Sequence, residues 1–285
     1  MVPTRRGILY VTAVIAVIVP PFFWVLAHLP AAPSALVVVP VAYAQATPTP
    51  REPDSLLMLA QRDPLTLVRL GHERYEREVR DYRCVLVKQE RIDGQLSPVQ
   101  EIEVRFRKSP LTIYMLWRQN EGEARRALYK DDPAFVDAHG NKLARVEPAG
   151  AVVRLFVKDV LMPIHGARAQ QASRRRIDEC GFGSTFEIME HFSELGRQNG
   201  VLDVRFGGLG QVDGRPTFVI VRHLPYTGGD GPYPDAKLVL HLDRESLLPV
   251  GVESYADAEG QRLLGRYAFT KVQLNPGLTE QEFEF

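Results

Sequence analysis

Residues that usually carry chemistry are sparse in this sequence. Two cysteines, Cys84 and Cys180, are the whole thiol inventory of 285 residues. That excludes a multiply stapled scaffold, and with no histidine at ligand spacing it leaves no zinc site. The pair admits two readings: a disulfide, worth roughly 2–4 kcal/mol in an oxidising compartment, or two buried thiols acting as small apolar groups. Neither sign of charge is in excess, 35 basic residues standing against 35 acidic ones. The concentrated positive field that nucleic acid needs is therefore absent.

Catalytic signatures are missing too. There is no Gly-x-Ser-x-Gly and no His-Glu-x-x-His, so neither a nucleophile elbow nor a zinc-protease helix is encoded. Gly208-x-Gly210-x-x-Asp213 stops short of the dinucleotide fingerprint and reads as a glycine-rich hairpin between two strands. His191 shares a helical stretch with Glu187 and Glu190, an arrangement that is usually a surface pair. A hydrolase with an unrecognised site would need His191 or His241 gathered with two acids and a hydroxyl. No catalytic residue, metal or cofactor is assigned.

What is present begins at the N-terminus. Arg5 and Arg6 precede an apolar run from Ile8 to Leu29, interrupted by Pro20-Pro21, and Ala42-Tyr43-Ala44 offers a small-x-small cleavage site. Residues 1–44 thus read as a signal peptide cut after Ala44, or as a membrane anchor over 8–29. Both place the rest outside the cytoplasm, in the periplasm or an equivalent compartment. Without those residues the chain has 33 basic and 35 acidic side chains. Residues 45–54 are a Pro/Thr-rich linker, and 55–285 are one β-rich domain.

Asp63-Pro64 predicts a helix start, with Asp as N-cap and Pro at the first position. Alternation follows: Val85 and Val87 are expected on the buried face of a strand, with Lys88 and Glu90 on the other. Asp93-Gly94 predicts a hairpin. Ile102, Val104 and Phe106 alternate with charge, and Leu111, Ile113, Met115 and Trp117 share one face of the next strand. Short strands are expected at Arg126–Lys130, Ala134–Ala138 and Lys142–Val146. Ala151–Leu161 reads as helix or buried strand, and Ala167–Arg176 as a basic helix or loop. Ser184-x-x-Glu187 matches a capping box ahead of helically spaced Phe186, Met189, Phe192 and Leu195. Strands return at Val201–Phe206, Pro216–Leu224, Lys237–Asp243, Pro249–Tyr255 and Leu263–Val272, around a Gly/Pro-rich excursion from Pro225 to Pro234.

The sum is an α+β domain, mostly antiparallel β, with about eleven strands and two or three helices. So long a sheet with so few helices must curl into a barrel, complete or half open, around an apolar cavity or groove. Candidate lining residues are Leu111, Ile113, Met115, Trp117, Leu238 and Leu240. The basic cluster Arg174, Arg175 and Arg176 is a solvated loop or a contact for anionic headgroups.

Asp81-Tyr-Arg-Cys-Val-Leu-Val-Lys-Gln-Glu-Arg-Ile-Asp-Gly94, Pro110 to Trp117 and Arg126-Ala-Leu-Tyr129 resemble domain-of-unknown-function family 1571, exported bacterial proteins common in planctomycetes. The match runs to Glu187 or beyond; where relatives tend to show Gly-Arg-Glu, this chain has Ala124-Arg125-Arg126. The end of the chain, Lys237–Asp243, Leu248-Pro249, Tyr255 with Gly260, Tyr267-x-Phe269 and Asn275, is similar to the periplasmic lipoprotein carriers of the LolA type. That resemblance implies a half-open barrel with helices against the concave face. It also implies a non-catalytic carrier for a lipid, acyl chain or lipoprotein. The alternative is an envelope scaffold or sensor domain that binds another protein.

Overall fold

The computed structural model describes residues 55–229 and 231–285; the expected signal and linker fall outside the described residues. Two helices come first, α1 (Ser55–Arg62) and α2 (Pro64–Glu78). Asp63 caps α2 through Thr66 N, and Pro64 opens it. Next are β1 (Asp81–Ile92), β2 (Gln95–Leu96), β3 (Gln100–Arg107), β4 (Thr112–Gln119), β5 (Ala124–Lys130) and β6 (Leu143–Pro148). A crossover then carries α3 (Ala151–Arg154), β7 (Val160–Pro163), α4 (Ala167–Ala172) and α5 (Phe182–Gln198). Five strands close the chain: β8 (Asp203–Val212), β9 (Arg215–His223), β10 (Lys237–Asp243), β11 (Pro249–Tyr255) and β12 (Leu263–Leu274).

Every pairing is antiparallel, and the strand order is β7-β6-β5-β4-β3-β1-β12-β11-β10-β9-β8, with β2 beside β1. The first strand therefore sits mid-sheet, paired on one side with β3 and on the other with β12: Leu86 lies opposite both Ile102 and Phe269. Asp93 (φ 49°) and Gly94 (φ 79°) turn β1 into β2, the left-handed pair that a tight hairpin requires.

The inner face is packed at one end by α2 and α5. Phe182, Phe186 and Met189 of α5 and Leu67, Val68 and Tyr75 of α2 are buried there. Tyr82 stacks on Phe106 at 4.7 Å, and Phe182 lies 4.6 Å from Tyr82 and 4.9 Å from Phe269. Each such side chain contributes about 1.5–3 kcal/mol by leaving water.

The outer face has a second, smaller core. The chain end crosses β4 and β5, burying Leu278 and Phe283 against Tyr114 and Leu128. Glu280 pairs with Arg107 and Lys130, while Arg126 and Arg145 both lie over the Phe285 ring.

Several expectations are corrected. On β1 the phase is inverted: Tyr82, Cys84, Leu86, Lys88 and Glu90 are buried, and Val85 and Val87 face outward, half-buried. Large Tyr82 and Leu86 outweigh two valines, and Lys88 with Glu90 can enter together because they neutralise each other. Ala134–Ala138 is not a strand but a 3-10 turn, Pro133–Phe135, capped by Asp132, plus one bridge from Val136 to Lys142. The α5 helix starts at Phe182 with Gly181 as N-cap, so Ser184 lies inside the first turn and Glu187 is exposed. Gly181 is required there: its φ is +123° and a Cβ would meet the Tyr82 hydroxyl. Gly208 and Gly210 lie on β8, one arm of the hairpin that Asp213 and Gly214 turn into β9, with the register shift just before Gly208. The stretch 151–161 is exposed, not buried.

Candidate functional site

The helices cover only part of the inner face. Beyond Met189 a cavity of about 880 Å³ opens between the sheet and the crossover. Its sheet wall includes Leu86, Met115, Trp117, Val146, Leu238 and Phe269. Val146 on β6 and Leu238 on β10 stand seven strands apart in the order, so one cavity touching both requires the sheet to curl round it. Val153 and Val157 of the crossover cover it, and Val160 and Met162 on edge strand β7 extend the sheet wall.

Sequence reasoning placed six residues at such a site, and the structure separates them. Met115, Trp117, Leu238 and Leu240 lie in the cavity wall. Leu240 has no water-accessible surface, so it backs the wall rather than facing the space. Ile113 is fully buried in the packed end of the core, and Leu111, half-buried just before β4, packs on that core. The interior phase of β4 and β10 was legible; the level at which packed core gives way to open cavity was not, because it depends on where α5 stops covering the strands.

One feature of the wall was missed. Lys88 and Glu90, 7% and 2% exposed, form a buried ion pair at 2.9 Å. Lys88 Nζ also donates to Ser173 Oγ at 2.9 Å, Ser173 Oγ donates to Glu90 Oε2 at 2.9 Å, and the Tyr267 hydroxyl donates to Glu90 Oε1 at 2.7 Å. Burial alone would raise the Glu90 carboxyl, but the Lys88 charge and three hydrogen bonds hold it below its ordinary value. Burial, then the Glu90 charge, pushes Tyr267 well above the usual phenol range, so it remains a donor. Ser173 Oγ thus accepts from Lys88 and donates to Glu90, so its hydroxyl proton points away from the amine. The cluster is a satisfied polar patch in an apolar wall, pinning the crossover to β1 through Ser173.

The two cysteines are free thiols. Cys180 lines the cavity, and Cys84 lies on the inner face of β1. Burial pushes Cys180 up to about 12 and Cys84 well above its ordinary value, the latter further opposed by Cys180. Arg175 and Arg176 line the cavity, and Arg174 is exposed beside them. Arg176 pairs with Asp178 and Glu179. His191 is exposed, edge-on to Phe192, while His241 is buried against Thr217 at 3.2 Å, its charged form disfavoured chiefly by burial. Neither is among the residues described as lining the cavity.

A family model for a protein of unknown function (DUF1571) matches residues 79–285. No curated protein matches the chain. Among solved structures it is similar to MucB in the Pseudomonas aeruginosa MucA/MucB complex, at 17% identity and TM-score 0.43, over 78% of this chain and 61% of that one. It is also similar to the Mycobacterium tuberculosis lipoprotein LppX (12%, TM-score 0.37, 76% and 98% covered). A third is a LolA superfamily protein from Nitrosomonas europaea (11%, TM-score 0.30, 77% and 96% covered). The chain spans about three fifths of the MucB chain it matches.

Proposed function

As the chain belongs to the DUF1571 family of proteins of unknown function, we propose a function from its cavity: an extracytoplasmic binding protein that shelters an apolar chain, such as a lipid acyl group or the acyl part of a lipoprotein. The observation that carries this is the space of about 880 Å³ left between the sheet and the crossover. Ligand sites typically measure about 300–1,000 Å³ and combine apolar walls with a few polar groups. Here Leu86, Met115, Trp117 and Leu238 would meet the ligand, with Lys88, Glu90, Ser173 and Tyr267 as the polar groups.

The driving force is the removal of methylenes from water, about 0.8 kcal/mol each. Ten of them give on the order of 8 kcal/mol, micromolar binding before the cost of immobilising the ligand. The role is non-catalytic: binding and release, with no bond made. The location outside the cytoplasm rests on the basic, apolar and small-x-small pattern of residues 1–44.

Native mass spectrometry of the protein purified from an exporting host tests the proposal. The expected spectrum carries an added lipid mass. Trp117→Asp, which places a charge in the apolar wall, should remove that mass while the far-ultraviolet circular dichroism stays unchanged. A clean apo mass, together with no uptake of a fluorescent fatty acid, would overturn the carrier reading in favour of an interaction domain.

A further inference from the structure

The crossover has an outer side as well as a roof. Leu155 and Phe156 are 79% and 83% exposed, and Val152 and Leu161 are exposed beside them. Single apolar side chains on a surface are ordinary, but a cluster ending in bare Leu-Phe marks a contact site. The charge of the same segment is lopsided. In a chain with no net charge, residues 151–176 hold six basic side chains and one acid, Asp159. Lys158, Arg174 and Arg175 have no ion-pair partner within 4.0 Å among the described residues, whereas Arg154, Arg168 and Arg176 are paired.

An apolar tip in a segment that also carries unpaired cations, Lys158 two residues past Phe156, has the chemistry of an interfacial membrane contact. Leucine and aromatic side chains enter the headgroup boundary while Lys and Arg remain with anionic phosphates. A protein partner would have to supply both an apolar socket and an acidic rim; an anionic leaflet supplies both everywhere. No helix among the described residues is long and apolar enough to cross a membrane. We infer that Val152, Leu155, Phe156 and Leu161 dock into the surface of an anionic bilayer, held there by the exposed cations Lys158 and Arg174. The inference stands whether or not the cavity holds a ligand. Because Val153, Val157 and Val160 of the same segment line the cavity, docking would bring that side of the cavity to the lipid surface.

The test uses the full chain carrying Phe156→Cys labelled with an environment-sensitive fluorophore. Cys84 is buried, Cys180 is half-buried, and burial raises both thiols, so the label goes to the exposed introduced cysteine. A second protein carries the label at exposed Gln198→Cys. With vesicles of phosphatidylglycerol and phosphatidylcholine, the label at 156 should shift to the blue and be quenched by brominated acyl chains, while the label at 198 stays aqueous. An N-terminal anchor would bring both labels to the vesicle and could not produce that difference. Lys158→Gln/Arg174→Gln should weaken the apparent vesicle affinity by about 25-fold, at roughly a factor of five per charge, and added salt should act in the same direction. The inference fails if the label at 156 stays in water on anionic vesicles, or if neutral phosphatidylcholine gives the same response. It also fails if the label is shielded simply by raising protein concentration without lipid, which would identify a second copy of the chain as the occupant.

Discussion

Replacing Lys88 by Met isolates the buried cluster. At 2.9 Å the Lys88–Glu90 attraction is roughly 5–6 kcal/mol at an effective dielectric of about 20. Methionine keeps the length and removes the charge. Glu90 then stands 2% exposed with only Tyr267 and Ser173 donating to it. Breaking one side of a buried pair usually costs about 3–5 kcal/mol, and the two surviving hydrogen bonds put the expected loss near 3. Urea unfolding at pH 7 measures it.

The sign of the pH dependence makes the test strict. In the native protein the Glu90 carboxyl lies below its ordinary 4.5. Its contribution is therefore present above about pH 4.5 and is lost as pH falls through the lower folded value. In Lys88→Met, burial acts without its counter-charge and the folded value moves above 4.5. That contribution is then present at low pH and lost as pH rises. The stability gap between the two proteins should thus narrow steadily between pH 7 and pH 4. Lys88→Met/Glu90→Met should recover most of the loss, since removing both partners of a buried pair is near neutral or stabilising. A gap under about 1 kcal/mol, or one that does not change with pH, would refute the account of the cluster.

Two further outcomes are expected. Phe283→Ala removes the buried ring of the tail and should cost about 3–5 kcal/mol in urea unfolding; a loss under 1 kcal/mol would mean that the tail only rests on β4 and β5. Cys84 and Cys180 should be silent to a thiol reagent at pH 8 in the folded protein and react as two thiols per chain in denaturant without reductant. No reaction in denaturant would show a disulfide.

Where one face of a strand was clearly more apolar, the sequence was readable. Ile102, Val104 and Phe106 against Glu101, Glu103 and Arg105 gave the phase of β3, and Lys237–Asp243 and Pro249–Tyr255 end where β10 and β11 end. Asp63-Pro64 gave the start of α2. β1 departs from the expected phase because charge does not mark the outer face where Lys88 and Glu90, two apart, share the inner face and cancel. β4 is apolar on both sides, Tyr114 and Leu116 as well as Ile113 and Met115; that doubled pattern was the available sign of a second core, but its partner lies over 160 residues away at Leu278 and Phe283. The site was half legible for the same reason. Period-two patterning reports which way a side chain points, not whether a helix from elsewhere fills the space in front of it.

The pairing of β1 with β12 has a consequence for how this protein can be made. Leu86 and Phe269 are 183 positions apart, and every strand of the second meander lies between β12 and the far edge. A chain emerging from a ribosome or a translocation channel N-terminus first can start its first meander, but β1 keeps a bare edge until the last strand arrives. Closing so long a loop is slow, and an unpaired strand edge invites association with other chains. Synthesis halted before Leu263 would therefore yield sticky half-sheets rather than a smaller folded unit. The protein comes into being only when nearly its whole length has been delivered.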